Sequence, residues 1–153
     1  MTDREILEEV KKYPGAQIVL TGGEPSLQID ENFIAFLKDE TGLPIAIETN
    51  GTRLLPVNID WVTVSPKNDV TEQGDTNILC RKANELKVVE VGQDLDQYFY
   101  YPCVGKDTVM LLQPCHVSDK MENEKNTRRT IERVLKDPRW RLSLQTHRFI
   151  GIP

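Results

Sequence analysis

Cysteine is scarce in this chain of 153 residues, and its three cysteines lie far apart. Cys80, Cys103 and Cys115 are separated by 23 and 12 residues. An odd number of widely spaced cysteines is not typical of a disulfide framework and favours reduced thiols in a reducing compartment.

The sequence also lacks targeting and membrane signals. No apolar run approaches the roughly 20 residues that a transmembrane helix requires. The first residues, MTDREILEEVKK, have neither the basic start nor the apolar stretch of a secretory signal. We therefore expect a cytoplasmic protein with no membrane role.

Excess positive charge is missing as well. The sequence has 19 Lys and Arg and 24 Asp and Glu, so its net charge is −5. This charge argues against a general nucleic-acid binder. From Lys120 onward, however, the sequence has nine Lys or Arg and only four Asp or Glu. Two interpretations stay open for that segment, a solvated helix face or a contact for an anion or phosphate.

Length and composition set the scale of the fold. A chain of 17.5 kDa with 39% apolar and 28% charged residues has the composition of a soluble globular protein. It is short for a complete β/α barrel, which usually takes about 250 residues. We expect residues 1–153 to form a single domain.

The predicted strands are short, apolar and mostly β-branched runs. They span residues 17–20, 44–47, 61–64, 86–89 and 109–112, and a last strand carries Leu142 and Leu144 in alternation with polar residues. Residues 68–77 are polar and contain glycine, which predicts a loop.

Helices are predicted between several of these strands. The first carries Ile6, Leu7, Val10 and Tyr13, has a capping box of Thr2 and Glu5, and ends at Pro14-Gly15. The second runs from an Asp30 cap to Gly42, and the third spans about residues 121–135. Strands that alternate with helices predict an α/β fold with a mostly parallel sheet.

Polar residues follow five of these strands. The segments are TGGEP at 21–25, ETNGT at 48–52, SPK at 65–67, QPCH at 113–116 and QTH at 145–147. Because parallel sheets place their working residues beyond the carboxyl ends of the strands, the five segments together predict the rim of a ligand site.

Each segment also has a plain structural interpretation. Glu24 either receives a ligand ammonium group or caps the next helix, while Gly22-Gly23 lets backbone amides approach a ligand closely. Asn50-Gly51 is an ordinary turn dipeptide. Residues 65–67 are also consistent with a rigid strand exit.

Taken in order, the segments resemble one family. The set TGGEP, ETNGT, SPK and QP, with a chain that ends THRFIGIP, is similar to the 7-carboxy-7-deazaguanine synthases of the radical S-adenosylmethionine (SAM) superfamily, across essentially the whole chain. The resemblance implies an incomplete radical-SAM-type partial (β/α) barrel.

The same resemblance implies an activity. A reduced [4Fe–4S] cluster cleaves SAM, the resulting radical abstracts hydrogen from 6-carboxy-5,6,7,8-tetrahydropterin, and ring contraction with loss of ammonia gives 7-carboxy-7-deazaguanine with the assistance of Mg²⁺. An electron donor such as flavodoxin and a homodimeric assembly are further expectations of this kind.

Site residues follow from the family's motifs. The resemblance assigns SAM contacts to Gly23, Glu24, Ser65, Pro66, Lys67, Gln113, Pro114, Cys115 and His116. It assigns substrate contacts to Thr21, Glu48, His147 and the terminal carboxylate of Pro153.

One departure from the family is serious. The family holds its cluster with a CxxxCxxC-type motif, and the spacing of Cys80, Cys103 and Cys115 makes them poor ligands for one cube. We therefore expect the cluster cysteines and the magnesium contact upstream of Met1. The chain is then a radical SAM core without its N-terminal strand and cluster loop, and inactive alone.

Two other functions remain open from the residues. Glu24 and Glu48, each at a strand end, match the carboxylate pair of a barrel hydrolase, although the strand-end segments lack the aromatic residues typical of sugar sites. Alternatively, the chain is a non-catalytic module that keeps the SAM pocket.

Overall fold

The structure is a computed structural model that describes residues 1–67 and 77–151, except for the side chains of His147 and Phe149. The predicted loop at residues 68–77 therefore lies outside the described residues, apart from Asn77. Within the described ranges, no helix combines the length and the apolar character that crossing a bilayer requires.

Six strands and four helices make up the regular structure of the described residues. The strands are β1 (Ile18–Leu20), β2 (Ile45–Thr49), β3 (Trp61–Val64), β4 (Glu85–Glu90), β5 (Val109–Pro114) and β6 (Trp140–Leu142). The helices are α1 (Asp3–Lys11), α2 (Glu31–Thr41), α3 (Lys120–Lys136) and α4 (Thr146–Ile150), with 3₁₀ turns at Pro25–Leu27 and Asp96–Tyr100.

The strands form one open sheet in the order β1-β2-β3-β4-β5-β6, and every neighbouring pair is parallel. The order equals the order along the chain, as in a barrel that has not closed. The predicted α/β class with a parallel sheet is confirmed. All six carboxyl ends consequently lie at one edge.

One face of the sheet is buried and the other is partly open. In β4, Leu86 and Val88 are buried, whereas the alternating Lys87 and Val89 are half-buried. Successive side chains of a strand point to opposite faces, so the first set belongs to the core and the second faces away from it. Helix α3 packs against β5 and β6 and covers part of the core face.

The predicted helix caps are present. Thr2 and Glu5 form the capping box of α1, with the Thr2 N–H donating to Glu5 Oε2 and the Glu5 N–H donating to Thr2 Oγ1. Asp30 Oδ1 accepts from the Phe33 N–H at 2.8 Å at the start of α2. Gly42 ends that helix in the left-handed conformation.

Some predicted boundaries are wrong. Helix α1 ends at Lys11, and Tyr13, assigned to its apolar face, is exposed beyond it. Strand β2 continues through Glu48 and Thr49, and β5 continues through Gln113 and Pro114, because the neighbouring strands supply hydrogen-bonding partners at those positions.

The end of the chain differs most from prediction. Strand β6 begins at Trp140, which is buried in edge-to-face contact with Tyr98 and Phe99. The strand ends at Leu142, so Leu144 is not part of it. The short helix α4 was not predicted, since five residues are too few to show a helical period.

A buried ion cluster ties α3 to the end of β4. Glu90 is fully buried, and its carboxylate accepts hydrogen bonds from Arg129 Nε and from Arg133 Nη1, the latter at 2.8 Å. The Gly92 N–H donates to the same carboxylate at 2.8 Å. Burial alone would raise the pKa of Glu90, but these donors hold the pKa below its usual value.

Replacing Glu90 by Gln should destabilise the fold. Removing one partner of a buried ion pair costs about 3–5 kcal/mol, and we expect about 3 kcal/mol near neutral pH because both arginines reach solvent. The folded pKa of Glu90 is depressed, so its contribution is present above the unfolded value and is lost as the pH falls through the folded pKa. Urea unfolding across an acid series should therefore show a difference between wild type and Glu90→Gln that shrinks toward low pH.

Glu122→Gln is the matched control, because Glu122 pairs with Lys125 at 3.3 Å on the solvent side of the same helix. It should change the free energy of unfolding by no more than about 0.5 kcal/mol. Equal effects of the two substitutions, or a Glu90→Gln effect that does not vary with pH, would contradict the role assigned to the cluster.

Candidate functional site

A cleft of about 620 Å³ lies at the carboxyl edge of the sheet. All six strands, or the segments that follow them, contribute to its lining: residues 21–24 after β1, Glu48 to Asn50 at the end of β2, Ser65 and Lys67 after β3, Lys87 and Val89 in β4, Gln113 in β5, and residues 143–146 after β6. Residues from each of the five predicted polar segments thus meet on one surface, which we call the first cleft.

The Glu24 carboxylate connects the exit of β1 to the exit of β2. Its Oε1 accepts from Thr49 Oγ1 at 2.6 Å and from the Ser26 N–H at 3.1 Å, while Oε2 accepts from the Asn50 N–H at 2.7 Å. The bond from Ser26 caps the 3₁₀ turn at Pro25–Leu27, so the structural interpretation of Glu24 is correct. A carboxylate has about four acceptor sites, and Oε2 keeps one for a ligand.

The Glu24 carboxyl is held as an anion. Burial on its own would raise the pKa of Glu24, but the hydrogen bonds from Asn50, Ser26 and Thr49 outweigh burial and lower the pKa. A fixed anion at the end of a strand suits a cationic ligand group such as an ammonium.

Two glycines leave the backbone open beside Glu24. Gly22 and Gly23 have φ values of +85° and +50°, and a Cβ added at either position would meet nothing within 4 Å. The loop therefore combines a conformation that favours glycine with free space at the positions where side chains would stand. The absence of these side chains lets a ligand come closer to the backbone of the loop.

Gly51 fixes the turn on the other side of Glu24. Its φ is +80°, and an added Cβ would lie 2.7 Å from Val64 Cγ1, closer than real contacts allow. Its carbonyl accepts from the N–H groups of Leu79 and Cys80 at 2.9 and 3.0 Å. The Asn50-Gly51 turn is thus a structural element that presents the Asn50 N–H to Glu24.

Ser65 and Lys67 bring a hydroxyl and an ammonium to the cleft after β3. Lys67 Nζ donates to Ser65 Oγ at 3.0 Å. Loss of hydration lowers the pKa of Lys67, the positive charge of Lys87 lowers it further, and Glu48 and Glu24 act in the opposite direction. Two lysines and two glutamates therefore share one electrostatic environment.

Glu48 and Lys87 form an ion pair on the wall of the cleft. Lys87 Nζ lies 3.0 Å from Glu48 Oε1, and their side chains are 20% and 45% exposed. The hydrolase interpretation needs one carboxyl whose pKa is raised so that it can act as an acid. Glu24 has a lowered pKa and Glu48 is paired with an ammonium, so the pair finds no support in this geometry.

A second cleft of about 460 Å³ adjoins the first and lies between the end of β5, α3 and α4. Gln113, Leu144 and Gln145 line both clefts. The second cleft alone is lined by Pro114, Cys115 and His116, and by the basic side chains of Lys120, Arg128 and Arg148. Part of the positive charge of the C-terminal segment therefore faces a recess.

Most predicted site residues are brought together. Thr21, Gly23, Glu24, Glu48, Ser65, Lys67 and Gln113 line the first cleft, and Pro114, Cys115 and His116 line the second. Pro66 is buried and lines neither cleft among the described residues. The side chain of His147 and the whole of Pro153 lie outside the described residues, so their assignments stay predictions.

Lys87 and Val89 were missed by the sequence reasoning. The five polar segments singled out in the sequence do not include the one after β4, so this strand was not expected to contribute to the rim. A usable signal was Lys87 itself, because a lysine at an alternating position between buried Leu86 and Val88 points away from the core. Residues 143 and 144 were missed because they were assigned to the last strand.

Comparison with known proteins shows to which family the chain is similar. A profile described as Radical SAM superfamily matches residues 1–99. A 7-carboxy-7-deazaguanine synthase from Bacteroides thetaiotaomicron is 47% identical over 152 residues, which cover 99% of this chain and 74% of that protein. The crystal structure of QueE from Escherichia coli superimposes with a TM-score of 0.69 and 31% identity, covering 95% of this chain and 64% of that chain.

A 7-carboxy-7-deazaguanine synthase from Nitratidesulfovibrio vulgaris is 40% identical over 136 residues, which cover 89% of this chain and 59% of that protein. The chain therefore spans 74% of the length of the first relative and 59% of the second. The similarity extends over nearly the whole of this chain and over only part of each relative.

Proposed function

The chain belongs to the radical SAM superfamily and, within it, to the 7-carboxy-7-deazaguanine synthases, and we propose that it provides the SAM and substrate pocket of such an enzyme. The reaction is the conversion of 6-carboxy-5,6,7,8-tetrahydropterin to 7-carboxy-7-deazaguanine with loss of ammonia. When bound, SAM is the precursor of the radical that abstracts hydrogen from the substrate.

The observation that carries the proposal is the Gly22-Gly23-Glu24 loop in the first cleft. SAM has an α-ammonium group, and the remaining acceptor site of Glu24 Oε2 suits it. The open peptide groups of the two glycines offer further hydrogen bonds to the methionyl end. These residues fit SAM in charge and in space.

The rest of SAM extends from this loop in the proposed arrangement. Ser65 and Lys67 contact it from the β3 exit, and Gln113 leads to the second cleft, where Pro114, Cys115 and His116 complete the pocket. The second cleft suits the adenosine part because its lining is more apolar than that of the first.

The pterin lies on the other side of the first cleft in this proposal. Thr21 and Glu48 offer hydrogen bonds to its ring, and His147 and the terminal carboxylate of Pro153 are further proposed partners. Glu48 suits a substrate with several N–H donors, because an ionised carboxylate only accepts hydrogen bonds.

The cysteines do not fit an iron–sulfur cluster. Cys80 and Cys103 are buried in the hydrophobic core, where burial raises the pKa of both thiols, that of Cys103 to about 11. Cluster ligands are thiolates, and a raised pKa opposes their formation. Among the described residues, no three His, Cys, Asp or Glu are placed to hold a metal.

On this basis we propose that the chain alone is inactive and that cluster and Mg²⁺ ligands come from residues outside this sequence. From the family resemblance we further propose carbon–nitrogen lyase chemistry, a homodimer, an electron donor such as flavodoxin, and a cytoplasmic location. A module that binds SAM without catalysis remains the second candidate, favoured by the burial of Cys80 and Cys103.

Anaerobic reconstitution with iron and sulfide should leave the chain without a [4Fe–4S] cluster. The physical reason is that burial opposes ionisation of the Cys80 and Cys103 thiols and that no three His, Cys, Asp or Glu of the described residues are placed to hold a metal. Iron and sulfide analysis with absorption spectroscopy measures the outcome. Stoichiometric cluster in the wild-type chain that disappears when all three cysteines are changed to serine would overturn the proposal.

Glu24→Gln should weaken SAM binding by about tenfold to a hundredfold, because it removes the anion proposed to pair with the ammonium. Calorimetric titration of the chain with SAM measures the dissociation constant. Thr49→Val is the informative comparison, since it removes one hydrogen bond that holds Glu24 but keeps the charge. It should change SAM affinity by no more than about threefold.

Glu40→Gln is a control that alters an exposed carboxylate paired with Lys11 outside the cleft. It should bind SAM as wild type does. If Glu24→Gln and Thr49→Val weaken binding equally, Glu24 only positions the loop. If a folded Glu24→Gln variant binds SAM unchanged, Glu24 is not a ligand for the ammonium.

A further inference from the structure

Lys87 reaches the first cleft from within strand β4 and brings a positive charge to its wall. It lies at the half-buried face of β4, next to Val89, and both line the cleft. Its Nζ is 3.0 Å from Glu48 Oε1. The side chain of Lys87 is 20% exposed, so its ammonium remains accessible from the cleft.

Lys67 places a second ammonium in the same environment. The charge of Lys87 lowers the pKa of Lys67, which means that the two groups are close enough to repel each other. An anion between them would relieve this repulsion. Glu48 is itself 45% exposed, so a ligand can displace it from Lys87.

We propose that Lys87 binds a carboxylate of the molecule in the first cleft and exchanges its ion pair with Glu48 for that carboxylate. The inference rests on the proposed function and adds a specificity-determining residue to it. A lysine ammonium has three donors, and a carboxylate that binds it forms a charge-assisted hydrogen bond.

The exchange also frees Glu48. With Lys87 bound to the ligand, both oxygens of Glu48 become acceptors for N–H donors of the same cleft. The ion pair between Lys87 and Glu48 in the empty cleft is thus replaced by two contacts with the ligand. Lys87 binds its carboxylate, and Glu48 accepts from its N–H groups. A ligand with both a carboxylate and N–H groups is favoured over a ligand with only one of them.

Two ligands of the proposed function carry a carboxylate, SAM and 6-carboxy-5,6,7,8-tetrahydropterin. Each has a counterpart without this group, decarboxylated S-adenosylmethionine and 5,6,7,8-tetrahydropterin. Anaerobic equilibrium dialysis of the chain against the four compounds, with wild type and Lys87→Met, separates the two sources. Lys87→Met should weaken the binding of one carboxylated compound by about tenfold or more. The affinity for the counterpart that lacks the carboxylate should stay within about twofold of the wild-type value.

Two further variants keep the result interpretable. Lys87→Arg retains the positive charge and should recover most of the lost affinity, which a purely structural role in the strand would not require. Lys106→Met changes an exposed lysine that does not line the cleft and should bind all four compounds as wild type does. Thermal unfolding of each variant confirms that it is folded.

The outcomes are distinct. Selective loss for SAM or for the carboxylated pterin supports the inference and identifies the source of the carboxylate. Equal changes for both members of each pair, or none, overturn the inference while the proposed function stands. If the wild-type chain binds none of the four compounds, the proposed function fails and the role of Lys87 fails with it.

Discussion

The hydrogen bonds of the Glu24 carboxylate are the constraint on which the site depends. The three-residue strand β1 is followed by Thr21 and by two glycines with positive φ, a conformation that few other residues adopt. The bonds from Thr49 and Asn50 attach it to β2, which is longer and better buried. The glycine peptide groups, the acceptor site of Glu24 and the wall formed by Glu48 and Lys87 then face the same space. A structural cap and a ligand-binding anion are, on this account, two uses of the same side chain.

Much of the fold was predictable because local signals and tertiary structure agree. The caps at Thr2, Asp30 and Gly42 depend on a few neighbouring residues, and the buried strands on short β-branched runs, so the sequence reveals both. The exits of the strands were predictable as a group because a parallel sheet brings all carboxyl ends to one edge. The assignment of residues 1–153 to one domain stays a prediction.

Long-range partners were not predictable. The extension of β2 and β5 depends on hydrogen bonds to neighbouring strands, and the burial of Trp140 depends on Tyr98 and Phe99, more than 40 residues away. The ion pair of Lys87 with Glu48 links positions 39 residues apart, and the cluster at Glu90 links positions 39 and 43 apart. The fold topology determines which residues meet in these contacts. The presence of Lys87 or Glu90 in β4 does not by itself identify their partners.

The most direct test of the account is amide chemical-shift mapping of the chain during titration with SAM. The account predicts that the largest changes occur at Gly22 and Gly23, which precede Glu24 in the cleft lining, and at Asn50, whose N–H donates to the Glu24 carboxylate. Further changes should extend toward Gln113 and the second cleft. Saturable binding that leaves the resonances of Gly22 and Gly23 unmoved would place SAM elsewhere and contradict the central claim.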